Sequence, residues 1–289
     1  MDEECVENMI KKSSYEWLYK VGNDQQLFFI LGPCAIEGES FTLKAAEFLK
    51  KLSQKLSFKL IFKGSFDKAN RISLTSKRGV GIDQGLKILA KVKQEFDLPV
   101  ITDVHDISQM TAIADVVDII QIPAFLCRQT DLLLAAGNTG LPIHLKKGQF
   151  LAPENMEPLI AKIESTGNQN TWLCERGFTF GYNNLIVDSR NYPIMKSTGK
   201  PVVLDATHAV QRPGGLGGAS GGNREFVSTL AAAAVVQGIA GIFMEVHETP
   251  EQAHSDGPNM IRHTDLEKLV SYLIDLDAWV KSHPVPEAR

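Results

Sequence analysis

The segment GIFMEV, residues 241–246, is almost unbrokenly apolar and closed by an acid, and it is the eighth of its kind in the chain. LFFILG (27–32), KLIFKG (59–64), PVITDV (99–104), DIIQIP (118–123), PIHLKK (142–147), TWLCER (171–176) and PVVLDA (201–206) precede it. Each run is short, bounded by turn residues and apolar with little alternation, as a strand buried on both faces is in a parallel sheet. Amphipathic stretches such as 43–56, 85–96 and 225–237 lie between them. Eight strand–helix alternations in 289 residues predict an α/β fold, a (β/α)8 TIM barrel, in preference to an open doubly wound sheet.

No Gly/Ser linker or composition shift marks an internal boundary, so residues 27–281 are read as one catalytic domain. Residues 1–26 form an N-terminal extension whose Tyr15, Trp17 and Tyr19 are expected to cap the barrel floor. Residues 282–289, with two prolines, are expected to fray. After the seventh strand comes QRPGGLGGASGGN (211–223). No GK[ST] follows it and no GxGxxG follows the first strand, which argues against a P-loop and against a dinucleotide fold. A mobile lid is the expectation there, since glycine lowers the cost of changing conformation.

At 44% hydrophobic the chain can bury a substantial core, and a formal charge of −4 gives no support for binding nucleic acid or an anionic membrane. The apolar runs are strand-sized and interrupted by charge, which excludes a membrane helix. The start, MDEECVENMIKK, lacks an apolar signal core, so a cytoplasmic protein is expected. Cysteines 5, 34, 127 and 174 include no CxxC pair and are expected to stay reduced. Cys5, Cys127 and Cys174 read as small buried hydrophobes.

The carboxyl ends of the predicted strands are conspicuously polar, and in this fold that rim carries function. Closing the ring sets strand 1 beside strand 8, and strand 8 beside strand 7. Cys34, Glu245 and His208 then share one rim, and Asp256 can reach in from the last loop. A thiolate, an imidazole and two carboxylates make a cage for Zn, Fe(II) or Mn. Taken singly, His208 reads as a satisfied core histidine and Asp256, in HSDG, as a turn aspartate. Glu245 ends an apolar run and needs a cation or donor close by. Asp103 is a further carboxylate at a strand end, while His105 and His247 read as supporting or loop residues. Lys63, Lys68, Lys146 and Arg176 converge on a cationic bowl suited to phosphate and carboxylate. The alternative is that each is a solvated loop charge.

The motifs GPCAIE (32–37), FDKANR (66–71), QIPAFLCRQTDLL (121–133), KKGQFLAP (146–153), ERGFTFGYNNLIVD (175–188), DATHAVQ (205–211) and HSDG (254–257) occur in order along the chain. Over residues 27–270 the chain resembles the 3-deoxy-D-manno-octulosonate 8-phosphate synthase family. The resemblance implies a TIM barrel that condenses phosphoenolpyruvate with D-arabinose 5-phosphate and water, releasing inorganic phosphate, for lipopolysaccharide synthesis. A related family, the 3-deoxy-D-arabino-heptulosonate 7-phosphate synthases, typically carries a KPRTSP-like segment where this chain reads KANRIS (68–73), which favours the octulosonate family.

The resemblance also assigns residues. Cys34 in the GPC segment implies the metal-dependent class, with Cys34, His208, Glu245 and Asp256 as ligands of a divalent ion. Lys63, Lys68, Lys146 and Arg176, with Ser65, Gln121 and Ala124 near them, match the phosphoenolpyruvate contacts. Asn70 and Arg71 match the pentose phosphate site, Arg71 crossing from a neighbouring subunit of a homotetramer. Asp103, His208 and Gln211 complete the substrate-binding positions, and Lys68, Cys34, His208 and Asp256 are the catalytic candidates. Lys68 is the candidate for protonating or polarising the developing alkoxide. Ile72 stands where relatives usually have a serine. The rival readings are the heptulosonate synthase, a metal-dependent barrel aldolase that releases no phosphate, and a non-catalytic sugar-phosphate binding protein.

Overall fold

The computed structural model describes residues 15–71, 73–213 and 221–283; Cys5, Ile72, the centre of the glycine-dense loop and the 284–289 tail lie outside the described residues. All eight predicted runs are strands: β1 (Phe28–Gly32), β2 (Lys59–Lys63), β3 (Val100–Asp103), β4 (Ile119–Ile122), β5 (Ile143–Lys146), β6 (Thr171–Glu175), β7 (Val202–Asp205) and β8 (Gly241–His247). Each pairs in parallel with the next, and β8 pairs back onto β1 from Phe28↔Gly241 to Gly32↔Glu245. The ring is closed. Helices α1 (Glu39–Leu56), α2 (Ile82–Phe96), α3 (Met110–Ala114), α4 (Thr130–Gly137), α5 (Glu157–Glu164), α6 (Asn191–Lys196), α7 (Val227–Val235) and α8 (His263–Ser282) separate and follow the strands.

Alternate strand residues face opposite sides of the sheet, so the apolar side chains divide into two cores. Phe29, Leu31, Leu60, Phe62 and Leu204 pack outward with residues of the helix layer. Phe28, Ile30, Ile61, Ile101, Ile119, Trp172, Val203 and Phe243 form a second cluster inside the barrel. The N-terminal turn Glu16–Tyr19 packs on this second cluster, as expected of a cap. Its deepest residue is Leu18, fully buried, while the aromatics Tyr15, Trp17 and Tyr19 pack around it. A wholly apolar side chain can be buried there without cost, whereas a tyrosine would have to bury its hydroxyl.

Two local features bring the opposite, carboxyl rim together. A Cβ at Gly32 would lie 1.9 Å from the Lys63 carbonyl oxygen, so only glycine lets the end of β1 approach β2 this closely. The short strand Ile261–Arg262 pairs in parallel with Val246 and His247 at the end of β8. That pairing anchors the far side of the 248–260 loop, which carries Asp256.

Candidate active site at the carboxyl rim

A cavity of about 960 Å³ opens at the rim. Of the predicted positions, Lys63, Lys68, Asn70, Arg71, Asp103, Gln121, Ala124, Lys146, Arg176, His208, Gln211 and Asp256 line it. Cys34, Ser65 and Glu245 are buried and stand behind that wall.

Cys34, Glu245 and Asp256 place their donor atoms within 4.8 Å of one another. Cys34 Sγ donates to Asp256 Oδ2 at 3.2 Å. Asp256 is one of four non-glycine residues with positive φ among the described residues, at 54°, the left-handed conformation that a turn aspartate tolerates. Its carboxylate caps no backbone; instead it accepts from Ser255 Oγ at 2.6 Å and Gln211 Nε2 at 2.7 Å. Its carboxylate is thus directed at the cavity, between Cys34 and Gln211. Glu245 is fully buried and accepts from Lys63 Nζ at 2.9 Å, which supplies the neighbour its apolar run demanded. Its second oxygen, Oε2, has no hydrogen-bond partner among the described residues.

His208 stands beside this trio. Its Nε2 is 3.8 Å from Glu245 Oε1, while Nδ1 lies 2.7 Å from Asp205 Oδ2. Asp205 ends β7, and its other oxygen accepts from the His208 backbone N–H at 2.9 Å, capping the turn Ala206–Ala209. Donors around a tetrahedral ion with bonds of about 2.0–2.3 Å lie roughly 3.3–3.8 Å apart. The Cys34–Asp256 and His208–Glu245 spacings and the orphaned Glu245 oxygen thus fit a divalent cation. Burial, and then Glu245, raise the Cys34 thiol well above its usual pKa, so its thiolate needs a cation beside it.

The four cations of the predicted bowl all line the cavity, and the three lysines are paired with acids. Lys63 is held by Glu245 and by the Cys34 carbonyl, 2.8 Å away. Lys68 lies 3.7 Å from Glu245 and 4.0 Å from Asp103, and Lys146 is 2.5 Å from Asp205. Burial would raise Asp205, but His208 and Lys146 hold it well below the usual carboxylate range. Unpaired ammonium groups at the mouth of a low-dielectric cup would be costly, and the neighbouring strand ends supply acids. Arg176 differs. One terminal nitrogen donates to Gln211 Oε1 at 3.1 Å, and the other, buried, has no hydrogen-bond partner among the described residues. That orphaned donor is the clearest open position for an anion.

Arg71 lines the cavity of its own chain, where its guanidinium donates to Ser255 Oγ and the His254 carbonyl, both at 2.7 Å. The long β2–α2 loop folds back over the Asp256 loop, a contact that sequence separation conceals. Ser65 donates to Asp103 beneath the wall. His247 and His254 flank Glu37, at 3.6 and 3.7 Å.

Two residues of the site had been given no role. Asp205 was legible as an acid three positions before His208 at a strand end, the spacing of a helix cap. His144 was legible as a polar residue in an apolar strand, two before Lys146 and so on the same face.

The DAHP synthetase I family model matches residues 9–282. Curated relatives named 2-dehydro-3-deoxyphosphooctonate aldolase are similar over nearly the whole chain. That of Geobacter sp. (strain M21) is 56% identical over 261 residues, 90% of this chain and 96% of the relative. That of Geobacter sulfurreducens is 56% identical over 262 residues, 91% of this chain and 96% of the relative. The Francisella tularensis relative is 50% identical over 269 residues, 93% and 98% of the two chains.

Proposed function

We infer that this chain, which belongs to the DAHP synthetase I family and within it to the 2-dehydro-3-deoxyphosphooctonate aldolases, condenses phosphoenolpyruvate with D-arabinose 5-phosphate and water. The products are 3-deoxy-D-manno-octulosonate 8-phosphate, for lipopolysaccharide synthesis, and inorganic phosphate. The observation that carries the reading is one cavity lined by Arg176, one of whose buried nitrogens has no hydrogen-bond partner among the described residues, by Lys68 between Glu245 and Asp103, and by Asp256 of the Cys34–Glu245–Asp256 cluster.

In the reaction, C3 of phosphoenolpyruvate forms a bond to the aldehyde carbon while water adds to C2. Phosphate then departs with its bridging oxygen as the C2–O bond breaks. Arg176, steadied by Gln211, grips an anionic group of phosphoenolpyruvate, with Lys146 beside it and Ala124 on the facing wall. Lys68 sets its ammonium where the aldehyde oxygen gains charge. Asn70 and Arg71, at the outer mouth, take the sugar phosphate. Holding two anionic substrates together against repulsion supplies proximity that solution cannot. Cys34, His208, Glu245 and Asp256 are the residues that would hold Zn, Fe(II) or Mn. Such an ion, when bound, supplies Lewis acidity and lowers the pKa of bound water. Asp205 turns His208 so that Nε2 faces Glu245 and stays available as a ligand.

A phosphate-release assay tests this reading. With phosphoenolpyruvate present, arabinose 5-phosphate should trigger release and erythrose 4-phosphate should not. Release with the four-carbon sugar alone would make the chain a heptulosonate synthase, and no release with either would leave a binding protein.

The reading extends to a homotetramer in the cytoplasm. Phe125, Phe150, Phe180 and Tyr182 follow the adjacent strands β4, β5 and β6 and are all more than half exposed, an apolar sector suited to a subunit contact. Among the described residues no helix is long and apolar enough to cross a membrane. Sedimentation of a fractionated lysate checks both points: activity belongs in the cytosol at the mass of four chains, and activity in the pellet or at the mass of one chain would contradict them.

A further inference from the structure

We propose that His144, inside the barrel and outside the cavity wall, is a positioning residue: as the Nδ1–H tautomer it locks the amide of Gln121, which in turn holds Asp103 beneath Lys68. A run of four side chains carries this inference. Ser65 Oγ and Gln121 Nε2 both donate to the Asp103 carboxylate. The remaining amide atom of Gln121, Oε1, lies 2.9 Å from His144 Nδ1. All four residues are buried.

The direction of these bonds follows from Asp103. Burial would raise its carboxyl, but Lys68 and then Lys63 hold it well below the usual range. It is a carboxylate, and a carboxylate only accepts. Gln121 must therefore turn its NH2 toward Asp103, because the flipped amide would set oxygen against oxygen. Oε1 is left facing the imidazole, which must donate from Nδ1. Burial and then Lys146 lower the His144 pKa to about 3, so the ring is neutral at physiological pH and carries one proton. Its Nε2, with no hydrogen-bond partner among the described residues, holds the lone pair. The Phe243 ring, stacked at 6.2 Å and 16°, limits rotation of the imidazole.

Gln121, Asp103 and Lys68 all line the cavity, and Lys68 is 4.0 Å from Asp103. Without the Nδ1 proton the Gln121 amide loses its reason to stay in one orientation, and Asp103 loses a donor. The consequence for binding rests on the function proposed above, because it requires Gln121 and Lys68 to touch phosphoenolpyruvate.

The imidazole ¹⁵N resonances of the intact protein test the tautomer directly. They should show a protonated Nδ1 and a bare Nε2, unchanged from pH 6 to pH 9. A proton on Nε2, or a titration in that range, would overturn the proposal whether or not any variant folds. Three variants test the consequence. Asparagine places its amide nitrogen near the position of Nδ1, glutamine near that of Nε2, and leucine offers no donor. At thermal stability matched to the parent, His144→Asn should bind phosphoenolpyruvate within about threefold of the parent by calorimetry. His144→Gln and His144→Leu should each weaken binding about tenfold, the size expected when a buried acceptor loses its donor. Equal affinity in all three variants would sink the idea. The ¹⁵N shifts need neither turnover nor phosphoenolpyruvate, so they decide the tautomer even if phosphate release failed and the proposed reaction had to be abandoned.

Discussion

Replacing Lys68 by methionine is expected to lower turnover about a thousandfold. Lys68 reaches the cavity from the loop after β2, and its Nζ stands 3.7 Å from Glu245 and 4.0 Å from Asp103. Burial alone would lower its pKa, but the negative charge of Cys34 when ionised, Glu245, Asp103 and Asp256 raises it well above the usual lysine value. The group therefore stays an ammonium across the working pH range. That makes it a fixed positive charge for a developing alkoxide and a weak proton donor, so of the two roles considered for it, polarisation is favoured. Methionine keeps nearly the length and apolar stem of lysine and removes only the charge. Lys63 continues to pair Glu245 in the variant, and Asp103, which loses its ion pair with Lys68, keeps the hydrogen bonds from Ser65 and Gln121. Steady-state phosphate release with arabinose 5-phosphate is the measurement, and turnover like the parent's would remove Lys68 from the chemistry.

Exhaustive chelation is expected to abolish turnover, and restoring Zn, Fe(II) or Mn should bring it back. Three anionic or ionisable donors lie within 4.8 Å of one another in a buried setting, and one Glu245 oxygen is left without a partner among the described residues. Like charges at that spacing repel strongly unless a cation intervenes. Cys34→Asn should lower metal affinity about a hundredfold or more, because an amide oxygen or nitrogen is a far weaker ligand than a thiolate. Titration calorimetry with Mn or Zn reads this independently of activity. Activity that persists after chelation and gains nothing from added cations would contradict the assignment of Cys34. Full metal-free activity in Cys34→Asn would contradict it as well, since the other donors, His208, Glu245 and Asp256, are unchanged in that variant.

Much of this site was readable before any coordinates, because a barrel converts strand order into adjacency. Once eight runs close a ring, Cys34, Glu245 and His208 must share a rim, and β1 does pair with β8 along its whole length. The identity of the rim residues was equally visible, since charge at the end of a doubly buried strand has no packing role. Less visible was how those charges pair. Lys146 and Asp205 meet across 59 residues of sequence and Lys63 and Glu245 across 182, contacts set by the stagger of strands around the ring. Arg71 and Ser255, 184 residues apart, meet only because two rim loops fold over each other.

What the amino-acid order determined by itself was the alternation of doubly buried strands with amphipathic helices, hence the barrel, and which rim carries the reactive groups. Those are properties of local hydrophobic period, and a period can be read along one dimension. Only the tertiary structure decided that Leu18 plugs the floor, that each lysine faces a particular acid while one Arg176 nitrogen finds no partner among the described residues, and that His144 turns its Nδ1 toward Gln121. A hydrogen bond needs its atoms aligned within a few tenths of an ångström, and that alignment exists only once register, strand tilt and loop closure have brought distant residues together.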